Sequence, residues 1–391
     1  MLPSKKWILP VIVIAQFLCT SVWFAGNAVI KGLINDYGLN KNDLGDIVAA
    51  VQFGFISGTL IYAFFNVADR FSPSKVFMVS AFLGVLANIS IISNHQTFTS
   101  ILTFRFLTGF FLAGIYPVGM KIAADYYEKG LGKALGFLVG ALVIGTAFPH
   151  LLNSFSGYIS WKAVIIYTSA LCFLGGFSVG FFIKNGPYRK ASQKFNIIVL
   201  FSVFKDIAFR KAAYGYFGHM WELYAFWTFV PIILTTYINI HGNDINVPLW
   251  SFMIIAIGSI ACIAGGYISL KKGIKKTALK ALLLSGFCCL VSPFMFLVAS
   301  PIIFILFLLF WGMVVIADSP LFSTMVAQNA IPQYKGTALT IVNCIGFAVT
   351  IISIQLIQEM IKYIPSTYLY LLLVPGPVFG VLSLYMKKIR V

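Results

Sequence analysis

PIIFILFLLFWGMVVIADSPLFSTMVAQ, residues 301–328, decides how the rest of the chain is read. From Pro301 to Ala317 no side chain is ionisable. A helix of about 20 such residues, rising 1.5 Å per residue, crosses the roughly 30 Å hydrocarbon core of a bilayer. Then comes Asp318, followed by Ser319 and Pro320. This puts a carboxylate in the inner half of the span, beside a break in the helix. An ionisable group at that depth is costly, so such residues are the first place to look for function.

Worked outward from that segment, the same pattern recurs twelve times. The predicted spans are Trp7–Ile30, Leu44–Asn66, Lys75–Ser93, Ser100–Ala123, Leu131–Asn153, Lys162–Ile183, Ala212–Ile238, Pro248–Leu270, Lys276–Val298, Pro301–Gln328, Gly336–Ile357 and Tyr368–Met386. Composition agrees: 60% of the 391 residues are apolar and 16% aromatic, against 28 Lys/Arg and 11 Asp/Glu. A soluble chain of this length would carry far more surface charge. The net charge of +17 does not indicate nucleic acid, because the basic residues sit in the short gaps between apolar runs rather than on one face. The six cysteines all fall inside apolar runs with no metal-ligand spacing, and neither a disulfide nor a cofactor is expected. The stretch from Trp7 is long, with no small-residue cleavage pattern before Asn27, and reads as a retained first helix rather than a signal peptide.

Twelve spans place both termini on one side. Twenty-three Lys/Arg then fall on that side and four on the other (Lys31, Lys41, Lys162 and Lys362), with Arg105 inside a span. The positive-inside rule makes the crowded side cytoplasmic. The longest connection, residues 185–211, is basic but contains Phe195–Phe204, too short to cross and expected to lie in the interface. It separates two six-helix bundles, residues 1–184 and 212–391. The expected fold is therefore an all-α membrane protein with 12 transmembrane helices in two pseudo-symmetric bundles. It is expected to work as a single subunit in the bilayer of the cell inner membrane.

Short internal matches support a repeat. Asp69-Arg70-Phe71-Ser72-Pro73-Ser74-Lys75 after the second span corresponds to Ser269–Lys275 after the eighth, and Gly132-x-Ala134-Leu135 corresponds to Gly336-x-Ala338-Leu339. Parallel repeats of this kind are a transporter layout. On these residues, and on Arg105-Phe106-Leu107-Thr108-Gly109, the chain resembles the major facilitator superfamily along essentially its whole length. The Asp69–Lys75 loop is similar to that superfamily's signature between helices two and three, with Pro73 replacing the usual glycine and one extra residue before Lys75. A more distant similarity is to the nitrate/nitrite porter branch, although the glycine-rich signature of helices five and eleven is missing and helix two carries Gln52 rather than an anion-binding arginine. The resemblance implies that Asp69, Arg70 and Lys75 form a cytoplasmic gate, and that helices one, four, seven and ten line a cavity.

Among the residues themselves, Glu222 lies about mid-span in helix seven, and His219 stands one turn earlier on the same face. A carboxylate and an imidazole at that spacing suit proton handling, with Asp318 a third candidate. The alternative is a structural pair locking helix seven to a neighbour. Arg105 cannot discharge by deprotonation and needs an anionic partner, which would be substrate or carboxylate; the alternative is contact with backbone carbonyls. His150, after Pro149, reads as an interfacial histidine. Trp23, Asn27, Gln52, Tyr116, Trp221, Tyr224, Trp227 and Asn343 are candidates for substrate contact, though any one aromatic serves equally well in packing. No phosphate-binding loop and no nucleophile–base set is present, which disfavours ATP-driven transport and membrane enzymes. The expected activity is secondary transport of a small polar or anionic metabolite by alternating access, driven by protons and directed inward. A proton-driven efflux antiporter of amphipathic compounds and a non-transporting membrane sensor are the alternatives.

Overall fold

The structure is a computed structural model and describes residues 7–40, 43–127, 131–155, 158–189, 203–331 and 335–385. It is helical throughout these residues. The chain divides into two compact units, Met1–Lys194 and Phe195–Val391. Residues 195–202 of the expected interfacial helix lie outside the described residues.

In the first unit the helices are α1 (Ile8–Thr20), α2 (Ala25–Ala28), α3 (Ile30–Tyr37), α4 (Leu44–Phe64), α5 (Val67–Arg70), α6 (Pro73–Ile89), α7 (Phe98–Leu112), α8 (Tyr116–Tyr126), α9 (Leu131–Asn153) and α10 (Trp161–Phe182). The second contains α11 (Ile207–His241), α12 (Val247–Ala256), α13 (Gly258–Lys272), α14 (Ile274–Met295), α15 (Pro301–Ala317), α16 (Ser319–Asn329), α17 (Lys335–Met360) and α18 (Pro375–Leu384). Among the described residues, ten segments are long and apolar enough to cross a membrane, and they coincide with the second to the eleventh expected spans to within about six residues at each end. The outer two differ. The first is interrupted after Thr20, and the last is a short 3-10 helix, Leu369–Leu373, running into α18; each holds only a shorter apolar helix.

The internal repeat shows in how each unit packs. In the first, α1 lies against α9 and α10, α4 against α7, and α6 against α7 and α10. In the second, α11 lies against α17 and α18, α12 and α13 against α15, and α14 against α15 and α18. Glycines make the α4–α7 and α12–α15 crossings equally close. A methyl group on Gly109 would collide with the Val51 carbonyl, and one on Gly312 with the Ile254 carbonyl. Small residues that let backbones touch are how membrane helices gain contact where no hydrophobic drive separates protein from lipid.

Two helix interruptions position the polar groups. Pro320 has no N–H for the Ile316 carbonyl, so helicity breaks at Asp318, between α15 and α16. The freed Ile316 oxygen accepts instead from the Asp318 N–H and, at 3.6 Å, from the Cys262 thiol. In the first unit the break spans residues 21–24, where Thr20 and Ser21 turn their hydroxyls back to the Gln16 and Leu18 carbonyls at 2.8 and 2.7 Å. Pro117 similarly follows the α7–α8 break.

Candidate functional site

Arg105 projects from α7 into the first-unit break. Its guanidinium is 1% exposed. Nη1 donates to the Val22 carbonyl and to Asn88 Oδ1, both at 3.1 Å, and Nη2 donates to the Trp23 carbonyl. Asn88 is oriented in turn by its amide nitrogen, which donates to Ser169 Oγ at 3.0 Å and Thr168 Oγ1 at 3.3 Å. Arg105 is therefore held by neutral acceptors, and among the described residues it forms no ion pair with a carboxylate. Gly26 leaves the space its chain occupies: a methyl there would stand 3.1 Å from Nε. Nearby, Trp23 packs its ring 4.9 Å from Phe55, one turn along α4 from Gln52. Gln52 is fully buried, and neither end of its amide has a hydrogen-bond partner among the described residues. Asn27 is buried, and Tyr116 opens α8 half-buried.

In the second unit Glu222 is 1% exposed and accepts three hydrogen bonds: from Ser285 Oγ at 2.6 Å, Trp311 Nε1 at 2.7 Å and Cys289 Sγ at 3.3 Å. A carboxylate so surrounded is satisfied by its own unit. His219 does not pair with Glu222, as one-turn spacing suggests, but with Asp318: Nδ1 stands 2.8 Å from Oδ1, with both residues 1% exposed. Asp318 lies at the break between α15 and α16 with its own backbone still in the helical region, φ −88° and ψ −16°. His219 Nε2 and Asp318 Oδ2 have no hydrogen-bond partner among the described residues.

The aromatic candidates fall into different places. Trp221 donates its indole N–H to the Leu372 carbonyl at 2.9 Å and so tethers α11 to the last span. Tyr224 packs edge-on to Trp227 and tilted against Phe347, with ring centroids 5.2 Å away in each case. Asn343 accepts from the Tyr216 hydroxyl at 2.9 Å. At one end of the first unit, Lys121 of α8 reaches Asp69 at 2.7 Å and Asp125 at 3.9 Å, while Arg70 and Lys75 stand exposed. Arg189 clasps the same loop, donating to the Asp69 and Phe71 carbonyls at 2.8 and 2.9 Å.

Sequence reasoning missed Lys121, Asp125 and Arg189, and also Asn88, Ser285, Cys289 and Trp311. Asn88 and Trp311 carried a signal, as polar-tipped side chains deep in predicted spans. Ser285 and Cys289 carried none, being small residues that read as packing.

The family model described as Major Facilitator Superfamily matches residues 12–354. The chain belongs to the major facilitator superfamily. Members of this superfamily are transporters, and the ten apolar helices make this one an integral membrane protein. It is 25% identical over 177 residues to the 4-hydroxybenzoate transporter PcaK of Acinetobacter baylyi, and 23% identical over 158 residues to YyaJ of Bacillus subtilis. Those matches cover 41% and 39% of this chain and only 37% and 34% of the relatives, so the chain spans little more than a third of either curated protein. Among solved structures, a bacterial homologue of the human lysosomal transporter Spinster, inward-facing and occupied, superposes with a TM-score of 0.69. It covers 98% of this chain and 96% of its own at 14% identity, a likeness of fold.

Proposed function

We propose that this superfamily member imports a small polar or anionic metabolite across the cytoplasmic membrane by alternating access, in symport with protons. The observation that carries the coupling is the incompletely satisfied His219–Asp318 pair, buried at the break in helix ten. Titratable groups kept in the membrane interior are expensive, and among them imidazole and carboxylate exchange protons most readily. PcaK, a 4-hydroxybenzoate transporter by name, makes aromatic carboxylates the first compounds to try.

On this reading the chain crosses the membrane twelve times, counting the two shorter apolar helices at either end, with both termini cytoplasmic. The Lys121–Asp69 pair with its Arg189 clasp belongs to the gate on that side. Gln52, Asn27, Trp23 and Tyr116 in the first unit, and Tyr224, Trp227 and Asn343 in the second, are available for neutral hydrogen bonds and stacking. Arg105 serves the substrate by holding the first helix in its broken form, since its terminal nitrogens are committed to carbonyls.

The test is uptake into proteoliposomes with the interior made alkaline, using 4-hydroxybenzoate, other small carboxylates and neutral sugars. At least one compound is expected to accumulate beyond equilibration and to return to it when a protonophore is added. If every transported compound ignores the gradient, proton coupling is wrong.

A further inference from the structure

Most buried polar side chains of the second unit already have partners. Glu222 takes three donors, Tyr216 is joined to Asn343, Thr350 donates to the Met220 carbonyl at 2.8 Å, and Tyr237 to the Val298 carbonyl at 2.8 Å. The His219–Asp318 contact is different. Nδ1 stands at ion-pair distance from Oδ1, 2.8 Å, but Nε2 and both carboxylate oxygens lack a hydrogen-bond partner among the described residues. Asp318 is also released from the usual duty of its position. It sits at the N-cap of α16, yet its side chain makes no cap hydrogen bond. A buried carboxylate oxygen and imidazole nitrogen left open forfeit the full cost of desolvation unless something binds there during part of the cycle.

We propose that the His219–Asp318 pair is where the coupling proton binds, and that Glu222 is a positioning residue fixing α11 against α14 and α15. This rests on the proton-coupled reading above and gives its ion a place. In the empty form the imidazole is neutral with its proton on Nδ1, toward Oδ1, and the carboxylate carries the charge, so the pair is net −1. A proton taken from the outer water adds at Asp318 Oδ2, making the pair net neutral, and is given up to the cytoplasm after the carrier has turned.

The surroundings suit this role. Facing the pair are Glu222 on α11 itself, the Cys262 thiol from α13, the Tyr216 ring 6.0 Å from His219, and the Phe322 ring of α16 at 6.4 Å. Among the described residues no Lys or Arg forms an ion pair with Asp318, so its charge is not cancelled permanently. Net charge in a medium of low dielectric is what the interior tolerates least. Loading the pair therefore removes the term that opposes carrying it through the closed state.

Infrared difference spectroscopy on the full chain in lipid vesicles, with the bulk pH stepped, reads the carbonyl stretch of a newly protonated carboxyl group. A band from a poorly hydrated acid is expected on acidification. It should shift in protein labelled with carboxyl carbon-13 aspartate, stay put with labelled glutamate, and vanish in Asp318→Asn. In His219→Gln its midpoint should move. Labelling requires no variant to fold, so a folding failure of Asp318→Asn leaves the test intact. A band that follows labelled glutamate, or one that persists in Asp318→Asn, overturns the assignment. Uptake separates the two layers: gradient-driven accumulation of any compound in the panel, with Asp318 spectroscopically silent, overturns the site while leaving proton coupling standing. A titrating Asp318 without any gradient-driven uptake supports the site and refutes the coupling.

Discussion

Arg105 and Glu222 carry opposite charges, yet each is held inside its own unit by groups from neighbouring helices. Arg105 joins α7 to Asn88 of α6 and to the broken first helix; Glu222 joins α11 to Ser285 and Cys289 of α14 and to Trp311 of α15. Removing one member of such a cluster strands the others, and stranded buried polar groups cost about 1–3 kcal/mol each. Arg105→Gln should therefore destabilise the protein by about 3 kcal/mol or more, because Asn88 Oδ1 and the Trp23 carbonyl lose the guanidinium and the Val22 carbonyl keeps only its 3.4 Å bond from the Ala25 N–H. Arg105→Lys should recover little, since a single ammonium cannot reproduce a guanidinium that divides its donors among three acceptors. All six cysteines are buried and free, so the melting temperature is readable with a thiol-reactive dye that reports their exposure. Lys31→Gln, at an exposed position, should shift it by no more than about 0.5 kcal/mol. An Arg105→Gln protein that melts like the parent would refute the clasp.

At the scale of elements, close crossings and interrupted helices divide the work. Gly109 and Gly312 bring a helix backbone against a carbonyl of its neighbour, and neither site has room for a methyl group. Gly109→Ala and Gly312→Ala should force α4 from α7 and α12 from α15, with losses of about 1–3 kcal/mol typical of overpacking. Gly136→Ala and Gly266→Ala meet nothing within 4 Å and remove only backbone freedom, so they should be neutral or stabilising by up to about 1 kcal/mol. Melting curves of the four variants check this; equal behaviour of the two pairs would remove the close-contact argument. The break at Asp318 belongs to this scale too. It is written in the chain as Asp-Ser-Pro, but the meeting of the Asp318 carboxylate with His219 depends on how α15 and α16 lie against α11.

For the whole molecule, the distribution of basic residues predicts the sidedness of the membrane. With twelve crossings and a cytoplasmic C-terminus, a green fluorescent protein fused after Val391 should fluoresce and an alkaline phosphatase fused there should be inactive. The same reporters placed in the loop near His95 should give the reverse. Matching signals at both positions would require an even number of crossings between them and break the proposed topology.

Apolar length was enough to place ten of the spans within a few residues, because a bilayer demands it of any helix regardless of neighbours. The break marked by Pro320 was legible for a similarly local reason. Partner choice was not. Glu222 and His219 lie one turn apart on a single helix, and nothing in that spacing tells that one faces Ser285 and Trp311 while the other faces Asp318. Nor could the chain alone announce that Arg105 answers backbone carbonyls rather than a carboxylate, since every residue owns a carbonyl and these two belong to the break in the first helix. Sequence determines which groups are placed in oil, since that follows from composition along one helix. Which of them satisfy each other is decided by the packing of several helices, because hydrogen bonds act over about 3 Å while partners such as Glu222 and Trp311 lie 89 residues apart along the chain.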